Sequence, residues 1–398
     1  MKVALVHDWL TGMRGGERCL QAFLKLYPEA DIFSLLHIPG RTSTQIDERV
    51  KGTSFLQKFP GIARYYRLCL PLFPFAVRSF DFSGYDLLIS LSHSAVKNVR
   101  VPKGCVHICY CFTPMRYIRD QAWQYFGLLT PLLSPLLWWL RRWDRQGAKG
   151  PDVFIAISRF IAARIRYYYG RHSEVIYPPV ETSWISRADA GVPGRAFLYA
   201  GALVPYKRPD LIVKAFNENG EPLWVVGSGP LERKLKRMAG PNIFFFGQVS
   251  DQDLARFYRD CRALIFPVRE DFGMVPIECL AAGRPVIGFY SGALKETLPG
   301  IKPWTGRRAA GPKDCGVFFR ARKSSRDPEL KDELLKSIQC FIENESSFRV
   351  EACKERSEQY SSIRFEEDFE AMLIRHGLER FLPVAKAYGQ SSGNCGHA

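Results

Sequence analysis

The feature that most constrains the fold is a repeated alternation of short apolar runs with longer segments of helical periodicity. The first run, Val3–His7, has the length of a strand, and the helical spacing after it is set by Leu20, Phe23, Leu24 and Tyr27. Strands that alternate with helices form a parallel sheet covered by helices, with ligands bound at the carboxyl ends of the strands. The sequence therefore predicts an α/β fold.

The alternation occurs in two blocks, and 398 residues exceed one ordinary core, since a domain takes roughly 150 residues. We therefore predict two Rossmann-like doubly wound domains facing across a cleft. The predicted strands lie near 3–7, 32–33, 86–90, 106–110 and 153–157, then 196–200, 223–227, 243–247, 263–267 and 285–288. The expected divisions are a first domain over 1–185, a second over 186–362, a helix over 363–380 that returns to the first domain, and a disordered tail over 381–398.

The composition is that of a folded protein with a positive net charge, which favours binding to anions. Hydrophobic residues make up 46% of the chain, and 56 Lys and Arg against 40 Asp and Glu give a net charge of +16. The positive electrostatic field of such a net charge attracts phosphorylated substrates, anionic lipid or nucleic acid. The chain has eleven cysteines without a regular framework and begins on a predicted strand, so we expect a cytoplasmic location.

Two patterns that could hold a metal have simpler interpretations. Cys105, His107, Cys109 and Cys111 alternate along one predicted strand, whereas tetrahedral zinc usually gathers ligands from separate loops. Asp251-Gln-Asp253 follows Ser250 at the start of a helical pattern, where Asp253 has the position of a capping partner. We predict no metal and no cofactor.

The stretch with the most candidate functional residues runs from Arg269 to Glu278 and contains Phe272-Gly273-Met274-Val275. If a helix begins near Met274, its first backbone N–H groups have no partner within the helix and can bind an anion such as a diphosphate. Glu270 in the loop and Glu278 one turn into the helix could then reach opposite ends of one elongated ligand, a sugar and a ribose joined by phosphates.

Glu270 to Glu278, followed by Ala281-Ala-Gly-Arg-Pro-Val-Ile287, closely resembles the signature of retaining glycosyltransferases of family 4, which have the GT-B fold. Gly15-Gly16-Glu17, Pro114-Met-Arg-Tyr117, Arg142-Trp-Asp144 and Tyr177-Pro-Pro-Val180 resemble bacterial mannosyltransferases of surface polysaccharide assembly. The resemblance implies a nucleotide-sugar donor, with GDP-mannose the best candidate, and a lipid-linked saccharide acceptor. It also implies that the first domain binds the acceptor and the second binds the donor.

The resemblance further implies roles for individual residues. The catalytic set is Glu270 on the transferred sugar, Lys207 on the leaving phosphates and His93 beside the sugar. The remaining residues are listed by role: donor binding is expected from Gly15, Gly16, Lys207, Arg208, Phe272, Gly273, Met274, Val275 and Glu278, and acceptor binding from Arg116 and Tyr117.

Two departures from the family pattern bear on catalysis. Ala202 stands where relatives carry an arginine, and Phe112 stands where they carry a histidine. Either change could alter substrate choice, slow the reaction or mark a protein without activity. Two alternatives stay open, a sugar-nucleotide epimerase of the same fold and a non-enzymatic protein that binds anionic polymers, although no nucleic-acid-binding signature is present and we expect no nucleic-acid partner.

Residues 126–145 form an apolar run rich in Leu and Trp, interrupted by Pro131 and Pro135 and followed by arginines. The apolar part is shorter than the roughly 20 residues of a membrane-spanning helix. It is either a core helix or an interfacial segment on an anionic leaflet. The second alternative predicts a peripheral protein on the inner face of the cell membrane.

Overall fold

The computed structural model describes residues 1–186, 194–307, 309–321 and 327–383. The chain divides into two compact units, an N-terminal unit of Met1–Pro179 together with the segment from Phe365 onward, and a second unit of Val180–Arg364. The first division falls a few residues before the expected 185, because helix Ser183–Ser186 packs on the helices of the second unit. Residues 187–193, at the start of the expected second domain, and most of the predicted tail, at 384–398, lie outside the described residues.

The N-terminal unit is built on a parallel sheet of seven strands in the order β3-β2-β1-β4-β5-β6-β7. Its strands are β1 Val3–His7, β2 Asp31–Ser34, β3 Val50–Thr53, β4 Leu87–Ser92, β5 Val106–Cys111, β6 Val153–Ala156 and β7 Glu174–Val175. β1 and β4 are buried along their whole length, which explains why they consist almost entirely of apolar residues.

Helices cover this sheet and connect its strands. They are α1 Gly15–Leu26, α2 Thr44–Asp47, α3 Ile62–Tyr65, α4 Phe73–Ala76, α5 Ala122–Phe126, α6 Ser134–Gly147 and α7 Arg159–Tyr169, with 3₁₀ turns at Phe55–Lys58, Tyr66–Leu72, Val96–Asn98, Arg116–Ile118 and Gly127–Leu129. The sequence pattern predicted α1 and α7, whereas the short turns between β3 and β4 carry no periodicity long enough to detect.

The last α-helix of the described chain, Ser362–Arg375, packs on the N-terminal unit. The Phe365 and Phe369 rings lie 5.3 and 5.2 Å from the ring of Phe23 on α1. The Tyr27 hydroxyl donates a hydrogen bond to the Phe381 carbonyl over 2.8 Å. These contacts hold the segment from Phe365 to Phe381 against the N-terminal unit.

The second unit contains a parallel sheet of six strands in the order β10-β9-β8-β11-β12-β13. Its strands are β8 Phe197–Ala200, β9 Leu223–Val226, β10 Ile243–Gly247, β11 Leu264–Phe266, β12 Val286–Phe289 and β13 Gly316–Phe319. The helices from the second unit onward are α8 Ser183–Ser186, α9 Pro209–Asn219, α10 Glu232–Met238, α11 Asp251–Asp260, α12 Met274–Ala281, α13 Leu294–Thr297, α14 Asp327–Asn344, α15 Val350–Glu358 and α16 Ser362–Arg375, with 3₁₀ turns at Pro205–Lys207, Pro303–Thr305, Glu345–Ser347 and Glu379–Phe381.

Each sheet has one point at which the direction of winding reverses. In the first sheet this point lies between β1 and β4, and in the second between β8 and β11. The loops that leave neighbouring strands diverge there and open a crevice, which is the usual ligand site of a doubly wound sheet. A ligand site is therefore expected at the loops after β1 and β4 in one unit and at the loops after β8 and β11 in the other.

The segment 126–145 has two different faces. Leu137, Leu140 and Asp144 of α6 are buried, whereas the exposed fraction is 62% for Trp138 and 39% for Trp139. α6 is thus neither wholly a core helix nor wholly a surface segment. In the described part of the chain, no helix combines the length and hydropathy that crossing a membrane requires.

Candidate functional site

An ion pair occupies the crevice of the second sheet. Lys207 lies at the end of the 3₁₀ turn after β8, and Glu270 lies in the loop after β11, with Nζ and Oε1 separated by 3.1 Å. Burial acts to lower the pKa of Lys207, but the Glu270 carboxylate outweighs this effect and the pKa is raised. The structure therefore holds a charged lysine at the winding reversal, next to one of the two predicted carboxylates.

Close backbone packing fixes the loops that carry this pair. A Cβ on Gly227 would lie 2.0 Å from the Gly201 carbonyl oxygen, so the loops after β8 and β9 can approach only through glycine. Gly292, at φ +62°, supports Glu270 in the same way, because a Cβ there would lie 2.2 Å from the Glu270 carbonyl oxygen. The Ala293 N–H donates to that same oxygen over 3.0 Å. The Glu270 backbone is thus held before any ligand arrives.

The helix after Glu270 begins where the sequence predicted. Gly273, at φ +88°, is the N-cap of α12, and Met274 is the first helical residue. The N–H groups of Gly273, Met274 and Val275 have no acceptor within the helix, and Pro276 in the first turn contributes none. All three residues are partly accessible, while Phe272 is buried against Tyr360 with the rings 5.5 Å apart. This start of α12 can accept an anion through backbone groups alone.

Glu278 lies on the buried side of α12 and is only 5% exposed. The Tyr258 hydroxyl of α11 donates to Glu278 Oε2 over 2.8 Å. Burial, and then the negative charge of Glu278, raises the pKa of Tyr258, so the phenol stays protonated and remains a donor. Tyr258 therefore positions one carboxylate oxygen, a role that the sequence did not reveal because its spacing on α11 fits an apolar face.

The neighbours of Lys207 do not supply a second unengaged cation. Arg208 adopts a left-handed backbone conformation at φ +53°, which is uncommon for a residue other than glycine. Its side-chain Nε lies 3.2 Å from Asp210 Oδ1. Ala202 offers its backbone carbonyl to the Tyr199 hydroxyl over 3.0 Å. Arg208, which was predicted to bind the donor, has its guanidinium beside Asp210 on the first turn of α9.

In the N-terminal unit the crevice is organised by Asp8, which follows β1. Its two carboxylate oxygens accept hydrogen bonds from the backbone N–H groups of residues 93, 94, 95 and 96 at 2.6–3.0 Å. Burial raises the pKa of Asp8, while these donors and the nearby His7 act in the opposite direction. Sequence analysis missed Asp8, although its position directly after a buried strand was a usable signal.

Asp8 also contacts the predicted His93. His93 Nδ1 lies 3.3 Å from Asp8 Oδ2, and the edge of the Trp9 ring packs on the imidazole at a centroid distance of 4.3 Å. Burial lowers the pKa of His93 to about 3, and the charges of Arg116, Arg67 and Arg14 act in the same direction. The imidazole is therefore neutral at pH 7, and a carboxylate beside Nδ1 favours the proton on that nitrogen, which leaves Nε2 as an acceptor.

Phe112 belongs to the same cluster as His93. Its ring centroid lies 6.2 Å from His93 and 6.3 Å from His7. A Cβ on Gly16 would meet His7 Nε2 at 3.1 Å and Phe112 Cε2 at 3.6 Å, so the start of α1 closes over these rings. The structure thus brings predicted Gly16 and His93 together around the phenylalanine that replaces the family histidine.

The start of α1 contains a buried carboxylate. Glu17 Oε2 accepts a hydrogen bond from the Arg14 N–H over 3.1 Å, which completes the first turn. Burial raises the pKa of Glu17 to about 7, against the opposing effects of its hydrogen bonds and of the Arg14 charge. Gly15 and Gly16 remain partly accessible in the same turn, as a loop that approaches a ligand requires.

The two predicted acceptor-binding residues follow β5. Arg116 begins a 3₁₀ turn and is partly exposed, and its charge acts on His93. The Tyr117 ring lies between Trp9, at 6.2 Å, and Tyr125, at 4.7 Å. Arg116 therefore contributes to a positive field over the N-terminal crevice, whereas Tyr117 is largely engaged in aromatic packing.

The patterns that resembled metal sites have structural roles. The Ser250 hydroxyl accepts a hydrogen bond from the Asp253 N–H over 3.1 Å, which confirms the predicted helix cap. His107 Nε2 lies 2.8 Å from Ser90 Oγ on the neighbouring strand, and burial lowers its pKa to about 3. Cys109 and Cys111 are fully buried in the same strand, as ordinary packing predicted.

Comparison with known protein families identifies the class of protein to which the chain belongs. The model of Glycosyltransferase Family 4 matches residues 13–184, and the model of Glycosyl transferases group 1 matches residues 184–299. The first match covers most of the N-terminal unit, and the second covers the larger part of the second unit. The two units and these matches define a glycosyltransferase of the GT-B fold, and the chain belongs to the group 1 glycosyltransferases with a family 4 N-terminal domain.

Solved structures agree with this fold over almost the whole chain. The Anabaena protein Alr3699/HepE in complex with UDP has a TM-score of 0.65 at 15% identity and covers 94% of this chain and 100% of its own. Sucrose-phosphate synthase from Thermosynechococcus elongatus has a TM-score of 0.66 at 17% identity and covers 95% and 99%. At such identities the similarity establishes the fold.

Curated relatives match over shorter stretches. An uncharacterized glycosyltransferase of Methanocaldococcus jannaschii, MJ1178, is 30% identical over 163 residues, which is 40% of this chain and 46% of the relative. The O-antigen chain mannosyltransferase C of Escherichia coli is 33% identical over 98 residues, 23% of this chain and 26% of the relative. The chain spans less than half the length of these relatives.

Proposed function

We propose that this protein is a retaining glycosyltransferase that moves a sugar from a nucleotide-sugar donor to a lipid-linked saccharide in polysaccharide assembly. The observation that carries the proposal is the Lys207–Glu270 pair, which lies at the winding reversal of the second sheet and directly before the start of α12. A cation and backbone N–H groups suit the diphosphate of a donor, and a carboxylate suits its hydroxyl groups.

The proposed reaction needs few protein groups. The bond between the sugar C1 and the phosphate oxygen breaks, and a bond between C1 and the acceptor oxygen forms on the same face. The acceptor proton passes to an oxygen of the departing diphosphate, so the protein supplies no strong base. Lys207 and the N–H groups from Gly273 to Val275 stabilise the charge on the leaving group, without a metal ion.

The proposal also assigns roles to two carboxylates, one imidazole and one guanidinium. Glu270 accepts hydrogen bonds from the transferred sugar, and Glu278, held by Tyr258, accepts them from the ribose. In the N-terminal unit, neutral His93 accepts a hydrogen bond from a hydroxyl of the transferred sugar through Nε2. Arg116 attracts an anionic acceptor substrate. Phe112 cannot hydrogen-bond, which makes His93 the principal polar ring of that cluster in the proposal.

The donor and acceptor are proposed from relatives and composition. GDP-mannose is the preferred donor because the matches include an O-antigen chain mannosyltransferase and a GDP-mannose-dependent mannosyltransferase of Corynebacterium glutamicum, 28% identical over 39% of this chain and 48% of the relative. The net charge of +16 and the exposed tryptophans of α6 support an acceptor in an anionic membrane, at its inner face.

The test measures transfer directly. Labelled GDP-mannose, UDP-glucose and ADP-glucose are incubated with the protein and a bacterial lipid extract, and label in the organic phase is counted. We expect transfer from one donor, with GDP-mannose first, and an α-linkage from an α-donor in the isolated product. Transfer with inversion would refute the retaining mechanism, and no transfer from any donor would refute the enzyme.

A further inference from the structure

The N-terminal unit has a second surface feature, a cleft of about 200 Å³ between α4 and α6. Phe75 and Arg78 border it from one side, and Trp139, Arg142 and Trp143 border it from α6. The three α6 residues are spaced at i, i+3 and i+4, which places them on one face of the helix. The cleft therefore has aromatic walls and one guanidinium from each side.

Neither guanidinium is neutralised. Arg78 and Arg142 are exposed, and in the described part of the chain no carboxylate pairs with either of them. By contrast, Arg119 of the same unit lies 2.8 Å from Asp144 Oδ2. Two unneutralised positive charges that open onto one cavity favour an anionic occupant.

The buried side of α6, the helix that presents Trp139 and Arg142, is fixed by ion pairs and hydrogen bonds. Asp144 is fully buried and pairs with Lys97 and Arg119, and it accepts a hydrogen bond from the Tyr169 hydroxyl over 3.0 Å. Arg141 Nε donates to the Ile118 carbonyl over 2.6 Å. These bonds fix the rotation of α6, so the side that carries Trp138 and Trp139 faces solvent.

The N-terminal unit exposes several large apolar side chains, of which Phe75 lines the cleft. The exposed fraction is 54% for Phe75, 62% for Trp138, 77% for Leu132, 88% for Leu128 and 76% for Leu68. Single exposed apolar residues are common, but several of them in the unit that also presents Arg78 and Arg142 are typical of a surface that enters a membrane interface.

We propose that the cleft binds the phosphate headgroup of an anionic phospholipid in the bilayer. A guanidinium binds phosphate oxygens through two parallel hydrogen bonds, and tryptophan favours the depth of the headgroups. The proposal rests on the membrane association proposed above and adds a defined headgroup site to it. It is independent of the donor, because vesicle binding requires no sugar transfer.

The experiment is sedimentation of the whole protein with vesicles of phosphatidylcholine alone or with phosphatidylglycerol. The test variant is Arg78→Glu with Arg142→Glu, and the matched control is Arg41→Glu with Arg100→Glu, which changes the charge equally at exposed positions outside the cleft. We expect about a tenfold or greater loss of binding in the test variant and a smaller loss in the control. Circular dichroism confirms the fold of each.

A second variant separates a headgroup site from diffuse charge. Arg78→Lys with Arg142→Lys keeps both charges but removes the paired guanidinium hydrogen bonds, so a headgroup site predicts several-fold weaker binding. Equal binding by the lysine variant and the parent would overturn the proposal. So would displacement of the parent by millimolar glycerol phosphate, which would indicate a site for a soluble phosphate instead.

The same measurement distinguishes this proposal from the membrane association on which it rests. A parent that does not sediment with phosphatidylglycerol vesicles contradicts both. A parent that does sediment, with the test variant equal to its control, contradicts the cleft alone. Failure of sugar transfer leaves the vesicle result unaffected.

Discussion

Lys207→Ala is expected to remove most of the activity. Loss of one group that stabilises a leaving anion commonly lowers the rate about a hundredfold, or about 2.7 kcal/mol in transition-state stabilisation. The structure adds a second effect, because Glu270 loses the cation that lies 3.1 Å from its carboxylate and then faces the diphosphate unneutralised. At an effective dielectric constant of 20 and about 6 Å, two such negative charges repel by roughly 3 kcal/mol before screening.

This second effect can be measured separately from the first. Nucleoside diphosphate binding is followed by calorimetry in Lys207→Ala, Glu270→Gln and the double variant. We expect weak binding in the first, binding at least equal to the parent in the second, and partial recovery in the double variant, because the repelling carboxylate is gone. Lys236→Ala is the control, since Lys236 also pairs with a glutamate, Glu232, at 2.8 Å but is half exposed.

Nucleotide binding and sugar transfer by Lys207→Ala at the parent rate would contradict the role of Lys207 at the diphosphate. A double variant that binds no better than Lys207→Ala would also contradict it, because the ion pair would then have no bearing on the diphosphate. A comparable loss in Lys236→Ala would indicate a general effect of removing positive charge from this unit.

Four further predictions concern single positions. Glu278→Ala should weaken nucleotide affinity more than turnover, measured as KM against kcat, whereas an unchanged KM would contradict the ribose role. Ala202→Arg should leave transfer equal to or above the parent, and a large loss would show that no leaving phosphate lies there. His93→Ala should lose activity while Phe112→His gains little; the opposite result would transfer the role to position 112. Because the pKa of Glu17 rises on folding to about 7 from 4.5, its ionisation destabilises the fold as pH rises through this range, so Glu17→Gln should stabilise the protein by up to roughly 3 kcal/mol at pH 8 but little at pH 4.5, measured by thermal melting.

Local patterns predicted the elements and the loop of the second unit well. The Gly273 to Val275 turn, the start of α12 and the Ser250 cap all depend on residues within a few positions of one another. Such features are determined by backbone preferences that act locally, so the sequence contains them directly. The final helix was expected from the fold class that the family resemblance implies.

Contacts between distant segments were not predictable. Asp8 binds backbone groups more than eighty positions away, and Tyr258 reaches Glu278 from another helix. The first contact depends on strand order, which brings β1 beside β4, and the second depends on the packing of α11 against α12. The expected boundary at 185 was late for the same reason, since the partners of α8 lie far along the chain.

The measurement that tests the central claim most directly is thermal stability in the presence of GDP-, UDP- and ADP-sugars, for the parent and for Lys207→Ala. A ligand that binds only the folded protein stabilises it by about 2.7 kcal/mol at a hundred times its Kd. The account predicts that one nucleotide-sugar raises the melting temperature of the parent and raises that of Lys207→Ala much less. No shift with any nucleotide-sugar, or an equal shift in both proteins, would contradict it.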